Sequence, residues 1–290
     1  MDRIKLSIVG SGVTGQATGM GFIRHGHDVI FYDIVAEKLA VLNQNGYAVA
    51  ESVHSAIENS DVIFICVPTP TVNGSMDFSC VENAVLGVSE ALSKSKKYRV
   101  VVIRSTVLPS TTRIKVVPLL EKHSGLKAGK DFGVSMNPEF LREKFALNDF
   151  LNPDRIVIGE YNHKSGDLLE ELYSSFNAPI LRTNLDLAEM IKYASNLFLA
   201  AKISFFNEIF EICQNLSLDQ ELLGKAVSLD SRIGEYGVFG GRPFDGKCLP
   251  KDLIAFIDFA KANNINPKIL EEVLRVNNKI ASRNFNNYEP

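Results

Sequence analysis

The chain has 290 residues, of which 46% are hydrophobic and 22% charged, the composition of a folded chain of one or two domains and not of a disordered one. Lys+Arg 31 against Asp+Glu 34 leaves a formal net charge of −3, so no overall basic field points to nucleic acid or an anionic membrane, and any anionic ligand must be held by local groups. Apolar runs such as 61–68 are strand-sized, far short of the roughly 20 residues of a membrane span. The N-terminus reaches Gly10 too early for a secretory core, and cysteines 66, 80, 213 and 248 contain no CxxC pair, so a reducing, cytoplasmic setting is expected.

From residue 1 to 183, short β-branched runs alternate with amphipathic stretches, the rhythm of βαβ units laid onto a parallel sheet. Strands are expected at 4–9, 28–33, 61–67, 100–104, 132–136, 154–159 and 179–182. Most carry Val, Ile or Phe at successive positions, as in Val100-Val101-Val102-Ile103, which requires helices over both faces. The expected fold is α/β, a doubly wound Rossmann-like parallel sheet over 1–183, followed by an all-α domain over 184–290. That second domain opens with one helix of about 30 residues, where Leu187, Met190, Ile191, Ala194, Leu197, Phe198, Ala201, Phe205, Ile209 and Ile212 recur every three to four positions. Shorter helices are expected near 219–229, 250–263 and 267–283, and the Asn-rich stretch 284–290 is expected to fray. So long an apolar stripe needs cover from those helices or from a second copy, and a homodimer through the 185–215 helix is expected.

The first motif is Gly10-Ser11-Gly12-Val13-Thr14-Gly15, a G-x-G-x-x-G between an apolar strand and a helix. Gly10 permits the tight turn, Gly12 lets backbone approach a pyrophosphate, Gly15 allows close helix packing, and the helix start at Val13 offers free N–H groups. Asp33 ends the second strand, where a carboxylate accepts from ribose hydroxyls and repels a 2′-phosphate, so NAD is favoured over NADP. Two later strands end in Cys66-Val67-Pro68-Thr69-Pro70 and Arg104-Ser105-Thr106-Val107, at the carboxyl edge where open α/β sheets bind ligands.

Asn137-Pro138-Glu139-Phe140-Leu141-Arg142-Glu143 follows another strand end, so Glu139 or Glu143 is a candidate acid or base, with capping of a following helix as the plain alternative. On the long helix Glu189, Lys192 and Asn196 share one face, either as a solvated salt-bridged stripe or, for Asn196 in its apolar run, with a substrate as partner. Cys248 stands just before Pro250 at a helix start, between Lys247 and Lys251. Such a thiol has a depressed pKa and is a better nucleophile, and Asp252 returns to its side one turn later. Cys66 and Cys213 read instead as buried small hydrophobes. No metal is expected.

Together these segments resemble the UDP-glucose/GDP-mannose dehydrogenase family of NAD-dependent nucleotide-sugar 6-dehydrogenases. The resemblance runs nearly end to end, through the glycine loop with Asp33, Val67-Pro68-Thr69-Pro70, Ser105-Thr106-Val107, Asn137-Pro138-Glu139-Phe140-Leu141, Lys192 and Asn196 with Phe205-Phe206-Asn207-Glu208, Arg232-Ile233-Gly234, and Cys248-Leu249-Pro250-Lys251-Asp252. It implies that Cys248 captures the aldehyde and later holds a thioester. Asp252, Thr106 and Glu139 would manage hydrolysis, and Lys192 and Asn196 would stabilise the oxyanion. It further implies that Gly10, Gly12, Val13, Gly15, Asp33, Pro68, Thr69, Thr106 and Glu143 hold NAD. Glu139, Phe140, Leu141, Lys192, Asn196 and Gly246 would meet the sugar, and Arg232 would reach the sugar of the neighbouring subunit. UDP-glucose is the expected substrate, for polysaccharide biosynthesis, with UDP-N-acetylmannosamine and GDP-mannose as alternatives.

Two departures stand out. Members usually continue into a further α/β domain over the nucleotide, whereas this chain ends at Pro290, which raises the alternative of a subunit inactive without a partner or a silent NAD-binding module. Asp245 and Lys247 also replace the glycine and small or aromatic residue usual there. A 6-phosphogluconate or 3-hydroxyisobutyrate dehydrogenase would share the fold but needs no Cys248.

Overall fold

The computed structural model describes residues 3–94, 97–246 and 248–282, so Lys247 and the stretch 284–290 lie outside the described residues. In chain order the elements are β1 (Lys5–Val9), α1 (Val13–Arg24), β2 (Asp28–Tyr32), α2 (Ala36–Gln44), α3 (Val53–Ile57), β3 (Val62–Ile65), β4 (Thr71–Val72), β5 (Ser75–Met76), α4 (Ser79–Ser93) and β6 (Val100–Ile103). A π-helical turn, Thr112–Val116, runs into α5 (Val117–Ser124), followed by β7 (Gly133–Met136), a 3-10 turn at Glu143–Phe145, α6 (Ala146–Leu151), β8 (Ile156–Glu160), α7 (His163–Tyr173) and β9 (Ile180–Asn184). Last come α8 (Leu185–Asn215), α9 (Gln220–Ser228), α10 (Leu249–Ala262) and α11 (Lys268–Ala281). The chain divides into two compact units, Met1–Thr69 with Asp77–Lys192, and Pro70–Met76 with Tyr193–Pro290.

The first unit is built on a seven-stranded sheet in the order β2-β1-β3-β6-β7-β8-β9. Every residue of β3 and β6 is buried, as unbroken Val/Ile/Phe runs demand. All seven expected strands are present. The expectation of a wholly parallel sheet needs one correction, because β8 runs antiparallel to β7, with Ser135 opposite Glu160 and Met136 opposite Gly159. β8 thus starts from the edge where β7 ends, a direction set by its pairing with β7 and β9 and not by its own residues. On one face Phe22, Phe150, Tyr173 and Phe176 form an aromatic cluster, with Phe22 and Phe150 rings 5.0 Å apart and edge-on. Gly21 makes room for it, since a Cβ there would lie 2.0 Å from the Phe150 ring. Truncating so buried a ring as Phe22 costs about 3 to 5 kcal/mol. The neighbouring parallel strands β1, β3, β6 and β7 end at one edge, so that edge gathers the loops starting at Gly10, Cys66, Arg104 and Asn137.

The second unit holds α8 from Tyr193 onward, α9, α10, α11 and the β4–β5 hairpin. Leu253, Ala255, Ile257 and Ala260 of α10 and Val273, Val276 and Ile280 of α11 supply its core, joined by the Tyr193 and Phe256 rings 5.2 Å apart. The hairpin turns on Asn73 (φ 52°) and Gly74 (φ 88°), the pair of left-handed residues that a two-residue turn needs. It is pinned to α10: Thr71 Oγ1 donates to Lys251 O at 2.9 Å and Ser75 Oγ to Asp258 Oδ2 at 2.6 Å. Among the described residues no helix is long and apolar enough to cross a membrane.

Candidate active site

The glycine loop is closed by backbone. Gly10 has φ +99°, and a Cβ there would come within 2.7 Å of Cys66 O; a Cβ on Gly15 would lie 1.9 Å from Gly10 O. At Gly12, by contrast, a Cβ would meet nothing within 4 Å, and this residue caps α1 without any side-chain hydrogen bond or acidic residue in the first turn. The open face beside unsatisfied helix N–H groups at Val13 fits a pyrophosphate. Asp33, buried just past β2, accepts from Ser11 N at 2.7 Å and Val35 N at 2.9 Å, and pairs with Lys38 Nζ at 3.1 Å. Oδ2 takes both Ser11 N and Lys38 while Oδ1 takes only Val35 N, so Oδ1 retains a lone pair for a ribose hydroxyl and the residues present fit a dinucleotide. Sequence reasoning missed Lys38 and the exposed Ile34 beside Asp33; an acid five residues before a lysine at the start of a helix was the available signal.

The next two strand-end loops are stitched together. Thr69 Oγ1 donates to Thr106 O at 2.7 Å and Ser105 Oγ to Val67 O at 2.7 Å, while Thr106 is half-buried and Pro68 exposed. Glu139 is buried and does not cap a helix. Its Oε2 accepts from Leu141 N at 2.6 Å and its Oε1 from Lys192 Nζ at 3.0 Å. Burial pushes the Glu139 carboxyl up, but the Lys192 ammonium, the Leu141 amide and the Arg104 guanidinium outweigh it and hold the group below the ordinary carboxylate range. The Phe140 ring lies 5.5 Å from Lys192 Nζ. Glu143 is exposed at the start of the 3-10 turn, and Leu141 is half-buried.

The polar face of α8 is buried, which corrects the solvated-stripe alternative. Glu189 ignores Lys192 and accepts instead from Thr112 N at 2.8 Å, with burial pushing it up to about 7. Asn196 finds its partner inside the chain: its Nδ2 donates to Asp252 Oδ2 at 2.7 Å. Asp252 also accepts from Lys251 Nζ at 2.5 Å. Cys248 is exposed at the N-cap of α10, ahead of Pro250 in the first turn. The loop leading to it is fastened by two buried asparagines. Asn207 bonds Gly241 N and Arg242 O, and Asn277 bonds Phe244 N and O. Asn277 escaped the sequence reading because its partner is 33 residues away. Gly246, with φ +79°, and Asp245 are exposed beyond that fastening. Arg232 is at the surface, its guanidinium on Asp230 at 2.6 Å. Cys66 is buried, its thiol pushed up to about 12, and Cys213 is buried too, in keeping with an inert role.

Residues 40–177 match the profile of the UDP-glucose/GDP-mannose dehydrogenase family, NAD binding domain, and residues 186–279 that of the family's central domain. The chain is 35% identical to the UDP-glucose 6-dehydrogenase AglM of Haloferax volcanii, over 94% of this chain and 69% of that protein. It is 35% identical to the GDP-mannose 6-dehydrogenase of Pseudomonas aeruginosa, over 97% of this chain and 70% of that one. A solved UDP-glucose dehydrogenase from Pyrobaculum islandicum superposes with a TM-score of 0.89 at 37% identity, covering 96% of this chain and 68% of its own.

Proposed function

The chain belongs to the UDP-glucose/GDP-mannose dehydrogenase family of NAD-dependent nucleotide-sugar dehydrogenases, and from that premise we propose that it oxidises UDP-glucose to UDP-glucuronate, with Cys248 as nucleophile. NAD, the cofactor, would accept one hydride per molecule, so two molecules would be used in turn, one for each oxidation. Gly10, Gly12, Val13, Gly15 and Asp33 hold it, with Pro68, Thr69, Thr106 and Glu143 completing its site. In the first oxidation the C6 hydroxyl would release its proton to solvent water and the carbon its hydride to the first NAD, while Lys192 and Asn196 donate hydrogen bonds to the oxygen as charge builds on it. Cys248 Sγ, as thiolate, then bonds to the aldehyde carbon. Loss of the second hydride from that carbon leaves a thioester. Water, relieved of a proton by Asp252 and Glu139 and oriented by Thr106, attacks the thioester carbonyl; the C–S bond breaks, the thiolate leaves and the acid departs.

One observation carries this reading. Two buried N–H donors lie one turn apart on α8, Lys192 bonded to Glu139 and Asn196 to Asp252, and the helix bearing Asp252 starts at an exposed thiol. UDP-glucose is supported by the names of the Haloferax and Pyrobaculum proteins. The equal identity of the Pseudomonas protein supports GDP-mannose as the second reading. Phe198, Phe205 and Ile212 stand 68%, 57% and 52% exposed at seven-residue intervals on α8, the repeat of a helix seam, which supports a homodimer there, with Arg232 reaching the neighbour's sugar. Four reduced thiols support a cytoplasmic setting. The test is NADH yield on UDP-glucose, GDP-mannose and UDP-N-acetylmannosamine in separate assays. Two NADH per UDP-glucose is expected; one NADH per sugar, or none with any of the three, overturns the proposal, and two from GDP-mannose alone replaces the sugar.

A further inference from the structure

Beneath the Asn137-Pro138-Glu139 turn lies a cation that the proposed chemistry does not use. Arg104, immediately past β6, is buried, with its guanidinium carbon 5.5 Å from the centre of the Phe150 ring. Its Nη1 lies within hydrogen-bonding reach of Asn137 O at 3.1 Å, Asn137 Oδ1 at 2.5 Å, Pro138 O at 3.4 Å and the Tyr173 hydroxyl at 3.4 Å, while Nε is buried without a partner. Every one of those partners is neutral. Asn137 is in addition fixed from two other sides: it accepts from Tyr173 Oη at 2.6 Å and donates to Val157 O at 2.8 Å. A neutral donor would therefore serve the carbonyls, and a buried cation among aromatic rings is costly unless an anion offsets it. The anion at hand is Glu139, the residue directly after the two carbonyls that Arg104 grips.

We infer that Arg104 is the positioning residue of Glu139: it locks the two peptide carbonyls ahead of that carboxylate and supplies the fixed positive charge that keeps it anionic while Lys192 turns to a substrate oxygen. The inference rests on the role proposed above for Lys192. The groups facing Glu139 agree with it. Lys192 faces it from α8 and Arg104 from the end of β6; the Cys66 thiol past β3, pushed up to about 12, and the Tyr173 phenol on α7, also raised by burial, are neutral. Among the described residues, Arg104 then remains as the charge on Glu139 that no ligand draws away.

The test reads the carboxylate itself. In the full chain labelled with 13C at glutamate Cδ, the Glu139 resonance is identified by its loss in Glu139→Gln and followed against pH. Arg104→Met should raise its titration midpoint by about one unit or more, since an opposite charge at this range shifts a carboxyl by that amount. Arg104→Lys, which keeps the charge, should restore most of the wild-type value, and Tyr173→Phe, which removes a neutral partner, should leave it unmoved. If Arg104→Met does not fold, Arg104→Gln, which retains a donor for the carbonyls, takes its place. The acid limb of the kcat profile should move with the midpoint. An unmoved midpoint in the neutral variants, or an equal shift in Arg104→Lys, overturns the inference. A shifted midpoint in a chain that yields no NADH from any nucleotide sugar would instead sink the proposed function and leave Arg104's grip on Glu139 standing.

Discussion

In the glycine loop of the first unit, position is held by backbone: Gly10 N donates to Tyr32 O, Gly15 fits against Gly10 O, and Ser11 N is taken by Asp33. In the second unit the stretch from Gly241 to Phe244 is held by side chains reaching in from α8 and α11, and Asp245, Gly246 and Cys248 are exposed. The first is a shape that a rigid dinucleotide can enter unchanged. The second leaves the Cys248 thiol, the nucleophile we propose, outside the fastened part, where a bound substrate would order it.

That contrast can be broken most directly at Cys248. Cys248→Ala should lower acid production by on the order of a thousandfold or more while NAD affinity, measured by calorimetry, stays as it is; turnover within a few-fold of wild type would remove the thiol from the chemistry. Gly12→Ala sharpens the other side. Its Cβ would meet nothing in the protein, so the melting temperature should hold, yet NAD binding should fall by about a hundredfold, because the methyl takes the space of the pyrophosphate. Loss of stability without loss of binding would mean that the open face serves another purpose.

A smaller effect is expected at Asp33. Asp33→Ala removes the acceptor and frees Lys38, so NAD should weaken by about 1 to 2 kcal/mol and the preference over NADP should narrow, as fluorescence titration of both cofactors would show. Equal affinities in the unaltered chain would turn Asp33 away from the ribose. The smallest effect concerns Glu189, raised by burial from an ordinary 4.5 to about 7. A raised acid contributes stability that is full below pH 4.5 and is lost as pH rises to about 7. Glu189→Gln should therefore gain on wild type across that window in urea midpoints, and a constant difference at all pH values would refute the buried acid.

The sheet was readable because its strands are buried on both faces, and a run such as Val100 to Ile103 has no other use. The direction of β8 was not, since it is set by pairing with β7 and β9 and not by the strand's own residues. The β4–β5 hairpin bears Asn73-Gly74, the usual mark of a two-residue turn, but its strands of two residues each are too short to show a pattern. Within the site, residue types and spacings pointed to Cys248, Lys192, Asn196 and Glu139. Their partners were not legible: Asn196 meets Asp252 across 56 residues and Lys192 meets Glu139 across 53, pairings that only folding brings about. Arg104 was legible only as the end of a strand, and Asn277 not at all, because their partners lie 33 residues away.

The hairpin that grips α10 also sets a timetable. Thr71 and its acceptor on Lys251 are 180 residues apart, an interval of on the order of 10 to 40 s at the pace of a translating ribosome. A two-stranded ribbon is barely stable by itself, so it must wait through that interval for the helix that completes it. Dividing the gene after codon 192 would leave the hairpin on the fragment that makes no use of it, and recovery of the second unit would then depend on the two halves finding each other in solution.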